Sequence, residues 1–365
     1  MHRPAGRHPI PKEQMNRSDW LWPWRRLLVA LVFASAGVTV CPVSPVSGQE
    51  LRFADLGTCN LESGQTIREC RVGYRTMGEL NEDGSNAVLF PAWGGGRSEQ
   101  LPETYVGPDG WVNPEEYFVV MVDHFGNGVS SSPSNSQVQP GETFPGFTIR
   151  DVVRAQHRLV TEILGLESLH AVVGLSLGGF FAFEWATTYP GFAAHVIPVG
   201  GTPMLGPYEL LWSEVSHRIL SNCEPDRCEE ARETYFLKYI AMLMRTPGYW
   251  NRNVSPDDLP EFREQISRLA RNQPVPIDKL AENTAMRSMD ITAPFGGSMQ
   301  QAAKAVRSRM LIIIGTHDLA VTPEASRDFA ELAGARLLEL DNDWGHQFFI
   351  PENDTIRLAI QEFLR

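Results

Sequence analysis

His170-Ala171-Val172-Val173-Gly174-Leu175-Ser176-Leu177-Gly178-Gly179-Phe180 begins as an apolar run and ends in small residues. A helical pattern follows through Phe181, Ala182, Phe183, Glu184, Trp185 and Ala186 to Tyr189-Pro190. The stretch reads as a buried strand, a sharp turn and a helix. Gly174, Ser176 and Gly178 fit Gly-x-Ser-x-Gly, a turn that lifts a serine hydroxyl above a sheet edge. The glycines are needed because a Cβ beside the serine would clash in so tight a turn. The N–H groups at the start of the helix then face the place where an oxyanion would form.

Working outward, strands and helices alternate on both sides of this stretch. Leu51-Arg52-Phe53 and residues 67–75 read as partly exposed strands. Ala87-Val88-Leu89-Phe90-Pro91 and residues 117–123 read as buried ones, and residues 81–86 as a turn. Thr148 N-caps a helix with apolar positions at Ile149, Val152, Val153, Leu159, Val160 and Ile163, and Gly165 ends it. Ala193–Gly200 is the next strand, where Pro198 suggests an irregular or edge position. From about residue 205 to 308 the alternation stops. Helical stretches (208–220 and 229–244) are separated by turns at Pro225-Asp226, Thr246-Pro247-Gly248 and Asn272-Gln273-Pro274. Strand and helix return at Arg309–Gly315, from Pro323 to about Leu332, at Ala335–Asp341, and from about Asp354 to Leu364. Parallel strands joined by helices make a doubly wound, mostly parallel α/β sheet with its functional edge at the strands' carboxyl ends. The expected organisation is a core in two parts, residues 49–204 and 309–365, interrupted by a helical cap at residues 205–308.

Two residues complete the chemistry of Ser176. Asp318 follows the 309–315 strand, and His346 follows the last strand, so all three emerge at one sheet edge. A neutral serine hydroxyl is a weak nucleophile and needs a base. His346 is that base and Asp318 orients it. Asp341 and Asp343 lie too close to His346 along the chain to be its acid. His317 and His124 read as loop or pocket-rim residues, and His195 as a core or sheet-edge one. Ala92-Trp93-Gly94-Gly95-Gly96 after a buried strand has the composition of an oxyanion loop. Trp93 or Gly94 would donate one N–H and Leu177 the other. No metal ligand set or cofactor motif stands out.

The 365-residue chain carries 44 acidic and 32 basic residues, a formal net charge of −12. That argues against nucleic acid or an anionic membrane surface as the main partner, and the Ser176 chemistry makes a small-molecule acyl substrate the expected one. Residues 1–26 are polar and basic, residues 27–40 are uncharged and largely apolar, and residues 41–48 are rich in small residues and proline. This is the pattern of a secretory signal peptide ending before Gln49, with Met15 as a possible start, and a retained membrane anchor as the alternative. The protein is therefore expected in the periplasm or outside the cell. Outside this leader, which holds Cys41, stand Cys59, Cys70, Cys223 and Cys228. They can pair in three ways, of which Cys59–Cys70 with Cys223–Cys228 is the most local, and an oxidising compartment favours bridges.

From about Tyr74 to Pro203, and again around Asp318 and His346, the chain resembles the homoserine O-acetyltransferase-like family of the α/β-hydrolase superfamily. The resemblance is carried by residues 74–81 (YRTMGELN), 86–89, 117–120, Gly178-Gly179 and Glu184-Trp185-Ala186, and above all by residues 148–156 (TIRDVVRAQ). It implies the α/β-hydrolase fold and acyl transfer through Ser176 to water or a hydroxyl acceptor. It also favours Trp93 as the oxyanion donor. The family's elbow usually reads Gly-Gly-Ser-Met-Gly-Gly and its oxyanion loop His-Ala-Leu-Thr-Gly. Gln347 stands where homoserine enzymes usually carry an aspartate for the substrate's amino group, and no arginine for the substrate carboxylate is identified. The expected activity is thus hydrolysis of an ester by an exported serine enzyme. The alternatives are O-acyl transfer from acyl-CoA, the only co-substrate implied, and a non-catalytic binding protein that keeps the fold.

Overall fold

The computed structural model describes residues 50–102, 104–223 and 227–365. The expected leader, Cys41 and the Pro225-Asp226 turn lie outside the described residues. Eight strands form one sheet in the order β1-β2-β4-β3-β5-β6-β7-β8. They are β1 (Arg52–Asn60), β2 (Thr66–Met77), β3 (Ala87–Pro91), β4 (Phe118–Val122), β5 (Leu169–Leu175), β6 (Ala193–Val199), β7 (Arg309–Gly315) and β8 (Arg336–Leu340). β1 and β2 are antiparallel, β2 is antiparallel to β4, and every pair from β4 to β8 is parallel. The first two strands are longer than their apolar segments suggest, because one pairs along its length with the other.

The β3, β5 and β7 strands read as continuous apolar runs because both faces of the sheet are covered. On one face Leu169 and Val172 of β5 pack under α1 (Ile149–Arg158) and α2 (Leu177–Thr188). On the other, Ala171, Val173 and Leu175 meet α10 (Asn353–Leu364) through Ile356, Ile360 and Phe363. Thr148 caps α1, accepting the Asp151 N–H while the Asp151 carboxylate accepts the Thr148 N–H. A π-helical turn at Leu159–Ile163 follows α1, and Gly165 leaves it at φ +68. Arg150 donates to the buried Glu184 (2.6 Å) and to Glu62 (2.9 Å), tying α1 to α2 and to the β1–β2 hairpin. Cys59 is bonded to Cys70 across that hairpin, and Cys223 to Cys228. This is the local pairing.

The edge position expected for Pro198 is corrected, while the ladder to β7 is interrupted at this residue. Pro198 lies in β6 between β5 and β7, inside the sheet, paired in register with Gly174. The strand bonds to β7 through His195, Val196 and Val199, so the ladder passes over the residue that cannot donate.

Among its described residues the inserted segment is mostly helical. It contains α3 (Pro207–Ser221), α4 (Cys228–Met242), α5 (Pro247–Asn253), α6 (Leu259–Ala270), α7 (Pro276–Met286) and α8 (Met299–Ala305). The first and last behave differently. α3 packs on α4 and α7, whereas α8 packs against α9 (Glu324–Ala333) and α2 beside the sheet. Thr246-Pro247-Gly248 is not a turn between helices but the start of α5. Thr246 accepts the Tyr249 N–H, and Pro247 fills the first helical position, where no N–H is needed. Among the described residues no helix is long and apolar enough to cross a membrane.

Candidate active site

β5 ends in the elbow. Ser176 has φ 56 and ψ −117, a conformation that a non-glycine residue holds only under constraint. Its N–H donates to Val199 O at 2.8 Å, and its carbonyl accepts from Gly179 and Phe180 as α2 begins. A Cβ on Gly174 would sit 2.0 Å from Gly178 O, and one on Gly178 would sit 2.7 Å from Pro91 O. Backbone fills the space on both sides of the serine, which is why neither position tolerates a side chain.

The three residues expected at this edge meet there. Ser176 Oγ lies 2.7 Å from His346 Nε2. His346 Nδ1 lies 2.7 Å from Asp318 Oδ2. The other carboxylate oxygen of Asp318 accepts the Ala320 and Val321 N–H groups at 2.8 and 2.9 Å, so the acid is held from both sides. Asp318 and His346 are both 3% exposed, which removes competing water from the bond between them. With Nδ1 donating to the carboxylate, Nε2 is left as acceptor for the serine proton. Asp341 instead faces His317 and Thr316 at the surface, and Asp343 pairs with Arg252. The rival acids therefore have other partners.

The loop after β3 runs beside the elbow. Gly95 donates to Glu282 of α7 at 2.9 Å, and Gly96 donates to Trp93 O at 2.9 Å. Neither Trp93, Gly94 nor Leu177 donates its N–H to an acceptor among the described residues. Trp93 and Leu177 are the donors expected from the sequence. His124 is not a rim residue. It is 2% exposed, in the loop after β4, with Nδ1 2.8 Å from Phe125 O and Nε2 3.3 Å from Trp93 O. Asn127 donates to Gly96 O at 3.2 Å. Asp123, whose carboxyl is raised by burial, accepts the Ser98 N–H and hydroxyl.

Sequence reasoning missed four cap-side residues. Glu209 of α3 accepts the Thr322 N–H (2.8 Å) and hydroxyl, just beyond Asp318. Arg245 donates to Gln347, beside His346, and lies 4.2 Å from the centre of the Trp344 ring and 5.1 Å from that of Tyr249. Burial lowers its guanidinium to about 10, so it stays charged at neutral pH. Glu282 forms a buried ion pair with Lys279. A lysine and a glutamate three apart on a helix look like an ordinary surface pair, so no sequence signal separates them. Burial raises the Tyr239 hydroxyl. Among the described residues no group of His, Cys, Asp and Glu is placed to hold a metal ion.

Ethyl acetate hydrolase of Pseudomonas veronii is 38% identical to this chain over 164 residues, 44% of this chain and 46% of that protein. The match thus spans about half the length of that relative. Homoserine O-acetyltransferase of Acidiphilium cryptum is 26% identical over 371 residues, covering 88% of this chain and 96% of that protein. An acetylester hydrolase from Corynebacterium glutamicum has a structure similar at TM-score 0.80 and 24% identity, over 86% of this chain and 96% of that one. That likeness speaks for the fold. A family model described as the alpha/beta hydrolase fold matches residues 88–352. With most of its length under that match and with this sheet, the chain belongs to the α/β-hydrolase fold family.

Proposed function

We propose that this protein is an exported serine-nucleophile enzyme that hydrolyses an ester of a short acyl group through an acyl-enzyme on Ser176. The observation that carries the reading is the unbroken relay Ser176–His346–Asp318, with two hydrogen bonds of 2.7 Å. In the reaction His346 Nε2 takes the Ser176 proton as Oγ attacks the ester carbonyl. Asp318 holds the imidazole in its tautomer and stabilises the imidazolium. The N–H groups of Trp93 and Leu177 receive the developing oxyanion, each contributing about 3 kcal/mol to lowering the barrier. His346 then protonates the leaving alcohol, and water, activated by the same imidazole, releases the acid and restores Ser176.

Similarity to an ethyl acetate hydrolase supports an acetyl or similar ester as substrate. Export is supported by the leader pattern of residues 1–48 and by the two disulfides, which persist in oxidising compartments. A second reading, O-acyl transfer, draws on the homoserine O-acetyltransferases that match most of the chain. Against homoserine as acceptor stands Gln347, neutral and engaged by Arg245. Rapid mixing with p-nitrophenyl acetate tests both. Hydrolysis predicts a stoichiometric burst of nitrophenol followed by release of acetate into water, undiverted by added homoserine. Transfer predicts that homoserine or another alcohol captures the acetyl group in preference to water.

A further inference from the structure

We infer that Glu282, with Lys279 as its counter-charge, is a positioning residue through which the cap sets the oxyanion loop. The inference rests on the acyl-transfer reading of the site.

The loop Trp93-Gly94-Gly95-Gly96 contains three consecutive glycines, and Gly95 turns at φ +73. Such a segment can rotate its peptide planes at little steric cost. Oxyanion donors work only when they are aimed in advance. On the sheet side, Asn127 donates to Gly96 O and His124 Nε2 lies 3.3 Å from Trp93 O. The Gly95 N–H is left to the cap. That N–H donates to Glu282 Oε2 at 2.9 Å, a bond between residues 187 positions apart in sequence. Glu282 is 1% exposed, so this bond is made away from bulk water. A Cβ on Gly94 would lie 3.1 Å from Glu282 Oε1 and 3.6 Å from the Leu177 Cβ. The carboxylate therefore flanks the backbone that faces the elbow.

A bare carboxylate there would oppose the negative charge that builds on the substrate oxygen. Lys279, one turn earlier on α7 and 7% exposed, pairs with Glu282 and cancels that charge. His124 Nε2 stands 3.8 Å from the same carboxylate, and the Tyr235 ring centre lies 5.6 Å from Lys279 Nζ. Glutamate supplies the acceptor and lysine makes it electrostatically silent. The two functions are separable by mutation.

The test compares K279M, K279M/E282Q and K279M/E282A with wild type in p-nitrophenyl acetate hydrolysis, below all their melting transitions. Both double variants lack the ion pair, and they differ in whether an acceptor remains for Gly95. K279M/E282Q should stay within about threefold of wild-type kcat. K279M/E282A should lose roughly 10- to 100-fold in kcat with KM nearly unchanged, less than deletion of a whole oxyanion donor. K279M alone, with its carboxylate unpaired, should fall below K279M/E282Q. Affinity for a trifluoromethyl ketone, which forms a tetrahedral adduct, should follow kcat/KM across the set. A purely structural role would lower the melting temperature without this ordering. Equal kcat and equal ketone affinity in the two double variants, with an active wild type, overturn the inference alone. A wild type that neither turns over esters nor forms the adduct removes the acyl-transfer reading and this inference with it.

Discussion

The sheet-borne and cap-borne halves of the site are built on different principles. The sheet half carries the groups proposed to act, each at the carboxyl end of a parallel strand: Trp93 after β3, Ser176 after β5, Asp318 after β7 and His346 after β8. Backbone sterics and short local bonds hold each of them. The cap half contributes no group to the relay. It supplies partners instead, and it touches all three loops that matter. Glu209 receives Thr322 beside the acid, Leu243 O receives the His346 N–H at 3.3 Å, and Glu282 receives Gly95. Gly345 passes so close to Arg245 that a Cβ on it would sit 2.9 Å from the arginine Cα. The inserted helices thus brace the sheet edge that holds Ser176, Asp318 and His346. Chemistry is encoded in short motifs, and the alignment of that chemistry in contacts between distant segments.

This division can be broken from either side. The largest effect belongs to the sheet half. Asp318→Asn keeps an oxygen for Ala320 and Val321 but turns an amide toward His346 Nδ1, stabilising the wrong tautomer. Turnover of p-nitrophenyl acetate should fall about 10⁴-fold while near-ultraviolet circular dichroism stays native. A loss of less than tenfold would show that another carboxylate serves His346. On the cap side, Glu209→Ala leaves the Thr322 N–H without its acceptor. Stability in denaturant should drop by about 1–3 kcal/mol, and Glu209→Gln should recover most of it. No change in either variant would mean that the cap does not brace the acid loop.

The smallest effect lies within the cap and is read against pH. Lys238 donates to Trp212 O and Ser216 Oγ, and burial lowers its ammonium from 10.5 to about 8. Between these values the unfolded chain binds more protons at this residue than the folded one, so stability gains with rising pH. The melting temperature of wild type minus that of Lys238→Met should therefore rise from about pH 7.5 to about pH 10. Partial exposure screens the effect to on the order of 1–3 °C. A difference that falls over this range would contradict the assigned direction.

The same division explains what could be read from the residues alone. Ser176 was legible because its backbone conformation demands glycine at 174 and 178, and the chain shows them. Asp318 was legible because it follows an apolar run that reads as a buried strand, and His346 because it follows the last strand of the alternation. Thr148 and Asp151 announced their helix by capping it. Glu282 and Arg245 were not legible, since their partners lie 187 and 102 positions away, and Lys279 takes its meaning from Glu282. Thr246-Pro247 misled for a local reason: the residues that make a good turn also make a good helix start. Pro198 misled for a tertiary one, because its neighbours on β6 carry the ladder across it.

The central claim is that Ser176 is the nucleophile, and covalent labelling tests it most directly. A fluorophosphonate added to the wild-type protein should raise its intact mass by one adduct, and peptide mapping should put that adduct on Ser176. Ser176→Ala should remain unlabelled under the same conditions. No adduct on the wild type, or an equal adduct on Ser176→Ala, would contradict the account.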